Sequence, residues 1–491
     1  MSKLRPWALP FLILMGVYTV AMLSIWRGGV SHLDDLGRAI DGHSLKGNFQ
    51  RYSASYLLSL LNTNTTLFDI SPWPQIVAMA LLSIAGIAVV WLLCGHQVRY
   101  LPVVLAAFIG LSPLSLENWL YKFDSAGMAL AVLAAIVPFL CWRRAGTSRR
   151  GWAVLLVVCA AGVFVTLTSY QVGTGAFVVM LLAMMLLDFL DGQRARLVFK
   201  RAACATLGFA VACVLFNLLP KHGGVYRPAA MLPVRRLVSG AVSNAAGFVE
   251  YAYYQLTFQW KALICLAVVC FLAGVLTQSK RRGASKIFDG LAALAFVVLA
   301  VSLSQGVYLL LSRPQFNARS NLGIGVAMAV AAILTVRGAK PPGVRWLAAP
   351  AAVLLYSFAV FALAFGNAQV DQQRYGLYRT EELLSDLSRL YPESGRVAAR
   401  LQMQGTVHYG PVMRQLESKY HIVREIRSQT WLGDVSWWDH VTMIKYYDFA
   451  QTYVSPAKDR WDVADFELVL ATRDHDIYED AADSRILVLL K

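Results

Sequence analysis

Between residues 7 and 368 the chain alternates apolar runs of about 20 residues with short polar breaks. Wound as helices, runs of that length match the hydrocarbon thickness of a bilayer. Eleven can be placed, at roughly 7–26, 74–93, 101–117, 125–142, 152–169, 173–190, 202–219, 260–278, 287–311, 320–336 and 346–367. The third is the weakest, because Pro102 and Pro113 bracket it. Within the break at 27–73, Tyr52, Tyr56, Leu57, Leu60 and Leu61 share one helical face and Ser53, Ser55 and Ser59 lie off it. That pattern predicts a helix lying in the membrane interface. The break at 220–259 carries a second amphipathic stretch, ending near Leu256. After residue 368 the pattern changes. Arg379 to Leu390 reads as an amphipathic helix with Leu383, Leu384, Leu387 and Leu390 on one side. Short β-rich runs follow at Val397–Met403, His421–Ile426, Phe466–Thr472 and Ile486–Leu490. The reading is a polytopic α-helical membrane protein of about 11 transmembrane helices, residues 1–368, followed by a small α/β domain, residues 369–491.

Composition agrees. The 491 residues are 57% hydrophobic and only 15% charged, whereas a soluble protein carries nearer 25% charge. The first span is too long for the apolar region of a leader peptide and lacks a clear small-residue cleavage site.

Charge then sets the expected orientation. Arg143-Arg144, Arg149-Arg150, Arg194, Arg196, Lys200-Arg201 and Lys280-Arg281-Arg282 crowd the turns on one side of the bundle. The positive-inside rule puts that side, and the N-terminus, in the cytoplasm. An odd number of spans puts the C-terminal domain outside. The net charge of +16 is thus a topology signal and not a nucleic-acid footprint. The seven cysteines all fall in or beside spans and show no CxxC spacing. No Walker A sequence, dinucleotide fingerprint or HExxH occurs, which argues against a cytosolic nucleotide-sugar enzyme.

Acidic residues are where the candidate chemistry lies. Residues 1–368 contain only ten Asp or Glu, and seven of these fall in the breaks assigned to the outer side. Asp34 and Asp35 are adjacent there. Paired carboxylates at a membrane surface are costly to desolvate. They can take a proton from an acceptor hydroxyl, or hold a divalent cation such as Mg2+ or Mn2+ through oxygen ligands. Glu117, Tyr121, Lys122 and Asp124 follow the third span and could shape a sugar pocket. Tyr170 and Gln171 form a very tight outer turn. Arg313 and Arg319, with Lys221 and Arg227, could neutralise a phosphate.

The segments His32-Leu33-Asp34-Asp35-Leu36-Gly37-Arg38, Arg51-Tyr52-Ser53-Ala54-Ser55-Tyr56-Leu57-Leu58, Ile70-Ser71-Pro72-Trp73-Pro74-Gln75 and Glu117-Asn118…Tyr121-Lys122-Phe123-Asp124-Ser125 resemble the Gtr type II glucosyltransferases, bacterial serotype-converting enzymes that modify O-antigen. The motif likeness covers about 30–125, and the tail shows none. The resemblance implies a GT-C-type architecture with an acidic site in the first outer loop. It also implies a polyprenyl-phosphate sugar donor, a lipid-linked polysaccharide acceptor, inversion at the anomeric carbon, and work at the periplasmic face of the bacterial inner membrane. Two other readings compete. A transporter or flippase of a lipid-linked glycan would show midplane charges or internal repeats. A non-catalytic scaffold would not need an acidic pair in its first loop.

Overall fold

A computed structural model describes residues 5–43, 49–146, 148–220, 230–279, 285–338, 342–392, 397–428, 432–433 and 441–491. Among these residues nine helices are long and apolar enough to cross a membrane. They include α1 (Arg5–Gly28), α2 being the short helix Asp35–Asp41 that follows it, α3 (Tyr52–Asn62) an intervening surface helix, and α4 (Trp73–Leu93) the second long one. The protein is a polytopic helical membrane protein with a small C-terminal sheet unit.

Two of the eleven apolar runs form shorter helices. The third run breaks into α5 (Tyr100–Leu105) and α6 (Phe108–Leu111), and the tenth forms a 14-residue helix, Leu322–Thr335. At 1.5 Å per residue the latter spans about 21 Å, short of a roughly 30 Å core. Both sit inside the bundle, where nearly every residue of Leu322–Thr335 is buried. Glycine permits their contact: a Cβ at Gly325 would lie 2.7 Å from the Phe108 carbonyl oxygen, and one at Gly323 would meet the Ser304 backbone. These glycines serve close packing.

Spans α7 (Ser125–Ile136, continued as a 3-10 turn to Arg144), α8 (Arg149–Ser169), α9 (Thr174–Leu190) and α10 (Ala195–Asn217) complete one side. The basic turns at their far ends are tied together. Asp191 pairs with Arg143 and Arg337 at 2.7 Å each, and buried Asp188 pairs with Arg201 at 2.8 Å. The amphipathic stretch at 220–259 is α11 (Leu237–Gln255), followed by α12 (Phe258–Gln278), α13 (Ser285–Leu303) and α14 (Leu322–Thr335). The surface helix α3 turns Tyr56 and Leu60 outward and buries Ser55, Leu58 and Asn62. Of the expected apolar face, Tyr56 and Leu60 are exposed while Tyr52, Leu57 and Leu61 are half-buried.

The last span and the amphipathic helix at Arg379–Leu390 are one continuous helix, α15 (Ala349–Leu390, 42 residues). It leads into a five-stranded sheet of order β2-β1-β5-β4-β3. The strands are β1 (Val397–Gln404), β2 (Ala450–Tyr453), β3 (Glu467–Ala471), β4 (His475–Asp480) and β5 (Arg485–Leu490). β1 runs parallel to β2 and β5, while β3, β4 and β5 are antiparallel. Leu383 and Leu387 of α15 pack on Leu401, Met403, Ile486 and Val488. One expected strand is corrected: His421–Ile426 contains a helical turn, Val423–Ile426. Its Ile422, Val423 and Ile426 are fully buried in the main helical core, together with Met413. Tyr420 packs on Trp260 and Phe361 at ring separations of 5.1 and 4.9 Å. The C-terminal unit thus rests on the helical bundle.

Candidate functional site

Helix α2 carries the acidic pair at its start. The preceding Leu33 takes φ 47°, a left-handed conformation uncommon for a residue with a Cβ. Gln50, just before Arg51, does the same at φ 54°. Such strain costs about 1–3 kcal/mol and persists where surrounding contacts impose it.

Those contacts form a ladder between residues 32–38 and 117–124. The Oδ2 of Asp35 accepts the backbone N–H of His32 at 3.0 Å and of Lys122 at 3.1 Å. The buried Arg38 donates to Asp124 Oδ1 at 2.7 Å, and Arg51 donates to Asp124 Oδ2 at 2.8 Å. His32 Nε2 lies 3.7 Å from Glu117 Oε1, and the His32 ring meets Tyr121 edge-on at 4.9 Å. Lys122 Nζ pairs with Asp69 at 2.9 Å. Opposite, Glu117 Oε2 accepts the backbone N–H of Arg319 at 3.0 Å, and the Arg319 guanidinium donates to the Tyr121 hydroxyl at 2.6 Å. The Arg51 guanidinium lies over the rings of Phe49 and Tyr170, at 5.2 and 5.0 Å. Gln171 donates to the Phe49 carbonyl at 3.1 Å.

Ten of the expected residues thus gain defined positions. Asp34, Asp35, Glu117, Tyr121, Lys122, Asp124, Tyr170 and Arg319 form one connected cluster, and Gln171 braces its edge. Arg313 is exposed, and among the described residues no ion pair joins it to the cluster. Lys221 and Arg227 lie outside the described residues. Arg38 and Arg51 lie in the family-like segments, but the sequence alone assigns them no role. The available signal was spacing, since Arg38 stands four residues after Asp34 on one helical face.

The two carboxylates occupy different environments. Asp35 is fully buried, and that burial pushes its carboxyl up to about 8 against the pull of its two amide donors. The Asp34 side chain is 31% exposed, with Oδ2 3.8 Å from Arg38. Burial first, and then the Asp124 charge, raise its carboxyl above the ordinary range, while Arg38 and Arg51 oppose the shift. Burial also acts to raise Asp124, but Arg38 and Arg51 outweigh it and hold that carboxyl below its ordinary value. A group of three or more metal-type side chains does not occur among the described residues. One oxygen of Asp35 is committed to backbone amides, and Asp34 leans towards a guanidinium. This donor set does not fit a divalent cation.

The arrangement supplies an accessible carboxylate of raised basicity beside fixed guanidinium groups. It can accept a proton next to a site that stabilises negative charge.

Comparison with known proteins bears on what that serves. A stretch of 202 residues is 23% identical to a protein of Salmonella phage P22 described as an uncharacterized 55.3 kDa protein in the gtrB 5' region. The match covers 41% of this chain and 39% of the phage protein. The family described as glucosyl transferase GtrII matches residues 23–336, which contain every element of the ladder. With almost two-thirds of its length inside that match, the chain belongs to the glucosyl transferase GtrII family.

Proposed function

We propose that the protein is an inverting glucosyltransferase of GT-C type that takes glucose from a polyprenyl-phosphate donor. The acceptor is a sugar hydroxyl of lipid-linked O-antigen, and the reaction runs on the periplasmic face of the bacterial inner membrane. In this reading residues 1–368 form the catalytic membrane domain and 369–491 the periplasmic unit. The observation that carries it is Asp34: a half-buried carboxylate of raised pKa, set among Arg38, Arg51 and Asp124.

In the proposed step the acceptor hydroxyl gives its proton to Asp34 while its oxygen attacks the anomeric carbon. The bond from that carbon to the phosphate oxygen breaks, and its electron pair leaves with the polyprenyl phosphate. A single displacement of this kind inverts the anomeric centre. A carboxylate whose pKa lies above the ordinary range is a better base, and remains ionised while the pH stays above that pKa. In this reading Arg319, held by Glu117 and Tyr121, neutralises the leaving phosphate, for which a guanidinium fork is suited. Asp35 is a positioning residue: it is fully buried and fastens α2 to the turn at Lys122. Tyr170 and Asp124 hold Arg51 and Arg38 in place.

The test is purified protein in liposomes with polyprenyl-phosphate glucose and a lipid-linked acceptor. Consumption of donor with transfer to acceptor is expected. Movement of the glycolipid across the bilayer without consumption would replace this reading with transport. Arg319→Ala is expected to raise the donor KM at least about tenfold, the scale of a lost charge-assisted contact; an unchanged KM would remove Arg319 from the donor site.

A further inference from the structure

We infer that the C-terminal unit positions the carboxylate helix α2, with Lys445 and Ser428 as the positioning residues. This rests on the reading that transfer takes place at α2.

The seven-residue helix α2 is too short to hold its own orientation in water. The C-terminal unit grips it from both ends. At its C-terminal end Lys445 Nζ contacts both oxygens of Asp41, at 2.9 and 2.7 Å. Before its N-terminal end the Ser428 hydroxyl reaches the Ser31 carbonyl at 3.4 Å. Ser428 is itself fixed by Gln369 of α15 through two hydrogen bonds, amide to hydroxyl at 2.9 Å and backbone N–H to amide oxygen at 3.3 Å. The grip is anchored in the bundle, because Ile422, Val423 and Ile426 immediately before it lie in the main core.

A small cavity marks the same joint. Val30 and His32 from the acidic segment, Gln75 and Leu120 from the bundle, and Gln369 and Ser428 from the C-terminal side line it. His32 is 2% exposed, and its backbone N–H is one of the two donors to Asp35. Ser428 and Gln369 therefore close the wall beside the residue that holds Asp35. Moving this wall moves the donor, and with it the direction in which Asp34 faces.

The experiment uses the full-length chain in detergent or liposomes, with Lys445→Glu, Ser428→Ala and the exchanged pair Asp41→Lys/Lys445→Glu. Hydrogen exchange of the α2 amides reads positioning directly, and glucosyl transfer reads its consequence. Lys445→Glu and Ser428→Ala are expected to speed α2 exchange by about threefold, the scale of one partly exposed contact. They should lower kcat with donor KM unchanged, and the exchanged pair should recover both values. Unchanged α2 exchange in both single variants would overturn the inference, as would faster exchange with unaltered kcat. Faster exchange in a protein whose parent transfers no glucose would keep the grip on α2 and discard the glucosyl-transfer reading instead.

Discussion

Asp34 and Asp35 are neighbours with opposite surroundings, and the difference has measurable consequences. Asp35 has a folded pKa of about 8, well above an unfolded carboxyl, so its neutral form favours the fold. Its contribution is fully present below the unfolded value near 3.8 and is lost as pH rises through about 8. Asp35→Asn keeps an oxygen for the His32 and Lys122 amides and removes the titration. Its stability should therefore vary less with pH between about 4 and 8 than that of the parent, as thermal unfolding across that range would show. Asp124 carries the reverse dependence. Asp124→Asn removes the nearer charge partner of the buried Arg38, leaving it with Asp34 at 3.8 Å, and should destabilise the protein by about 3 kcal/mol. A denaturant midpoint equal to that of the parent would contradict this. The acidic pair was legible in the sequence because acids are scarce before residue 368. Which carboxylate is exposed was not legible, since it depends on the left-handed turn at Leu33 and on Lys122, 87 residues away. The partnership of Arg38 and Arg51 with Asp124 is likewise a long-range contact that no local pattern encodes.

At the scale of elements, the short buried helices are what bring the turns at Glu117 and Arg319 together. Gly323 fits against the Ser304 backbone, where no side chain can move aside. Gly323→Val should therefore cost at least about 2 kcal/mol and lower the yield of monodisperse protein in size-exclusion chromatography. A parental yield and melting temperature would show that α14 is not so tightly held. The lengths of the apolar runs located nine helices long enough to cross a membrane and two shorter apolar segments among the described residues, because hydrophobic length is a local property. It divided α15 where the composition turns polar near residue 368. The polar residues there include no proline and no helix stop, so the backbone continues as a helix while its surroundings change. The segment His421–Ile426 reads as strand because Ile and Val favour strands, yet Ile422, Val423 and Ile426 are buried in the main core as a helical turn beside Tyr420, which packs on Trp260 and Phe361.

For the whole molecule, one end of the bundle gathers the carboxylates and the C-terminal unit, and the other is laced by Arg143, Asp191 and Arg337. In the proposed orientation a cysteine replacing Ile40, which is 40% exposed beside the site, should react with a membrane-impermeant maleimide from the periplasm. Labelling only after the inner membrane is opened would reverse the topology and deny the site its donor. The central claim is chemical, and one assay meets it most directly: the rate of glucosyl transfer by Asp34→Asn, in liposomes, at matched protein level and with folding verified by its melting curve. Loss of a general base predicts a fall of about 10²–10⁴-fold. Transfer by Asp34→Asn at the parental rate would contradict the account.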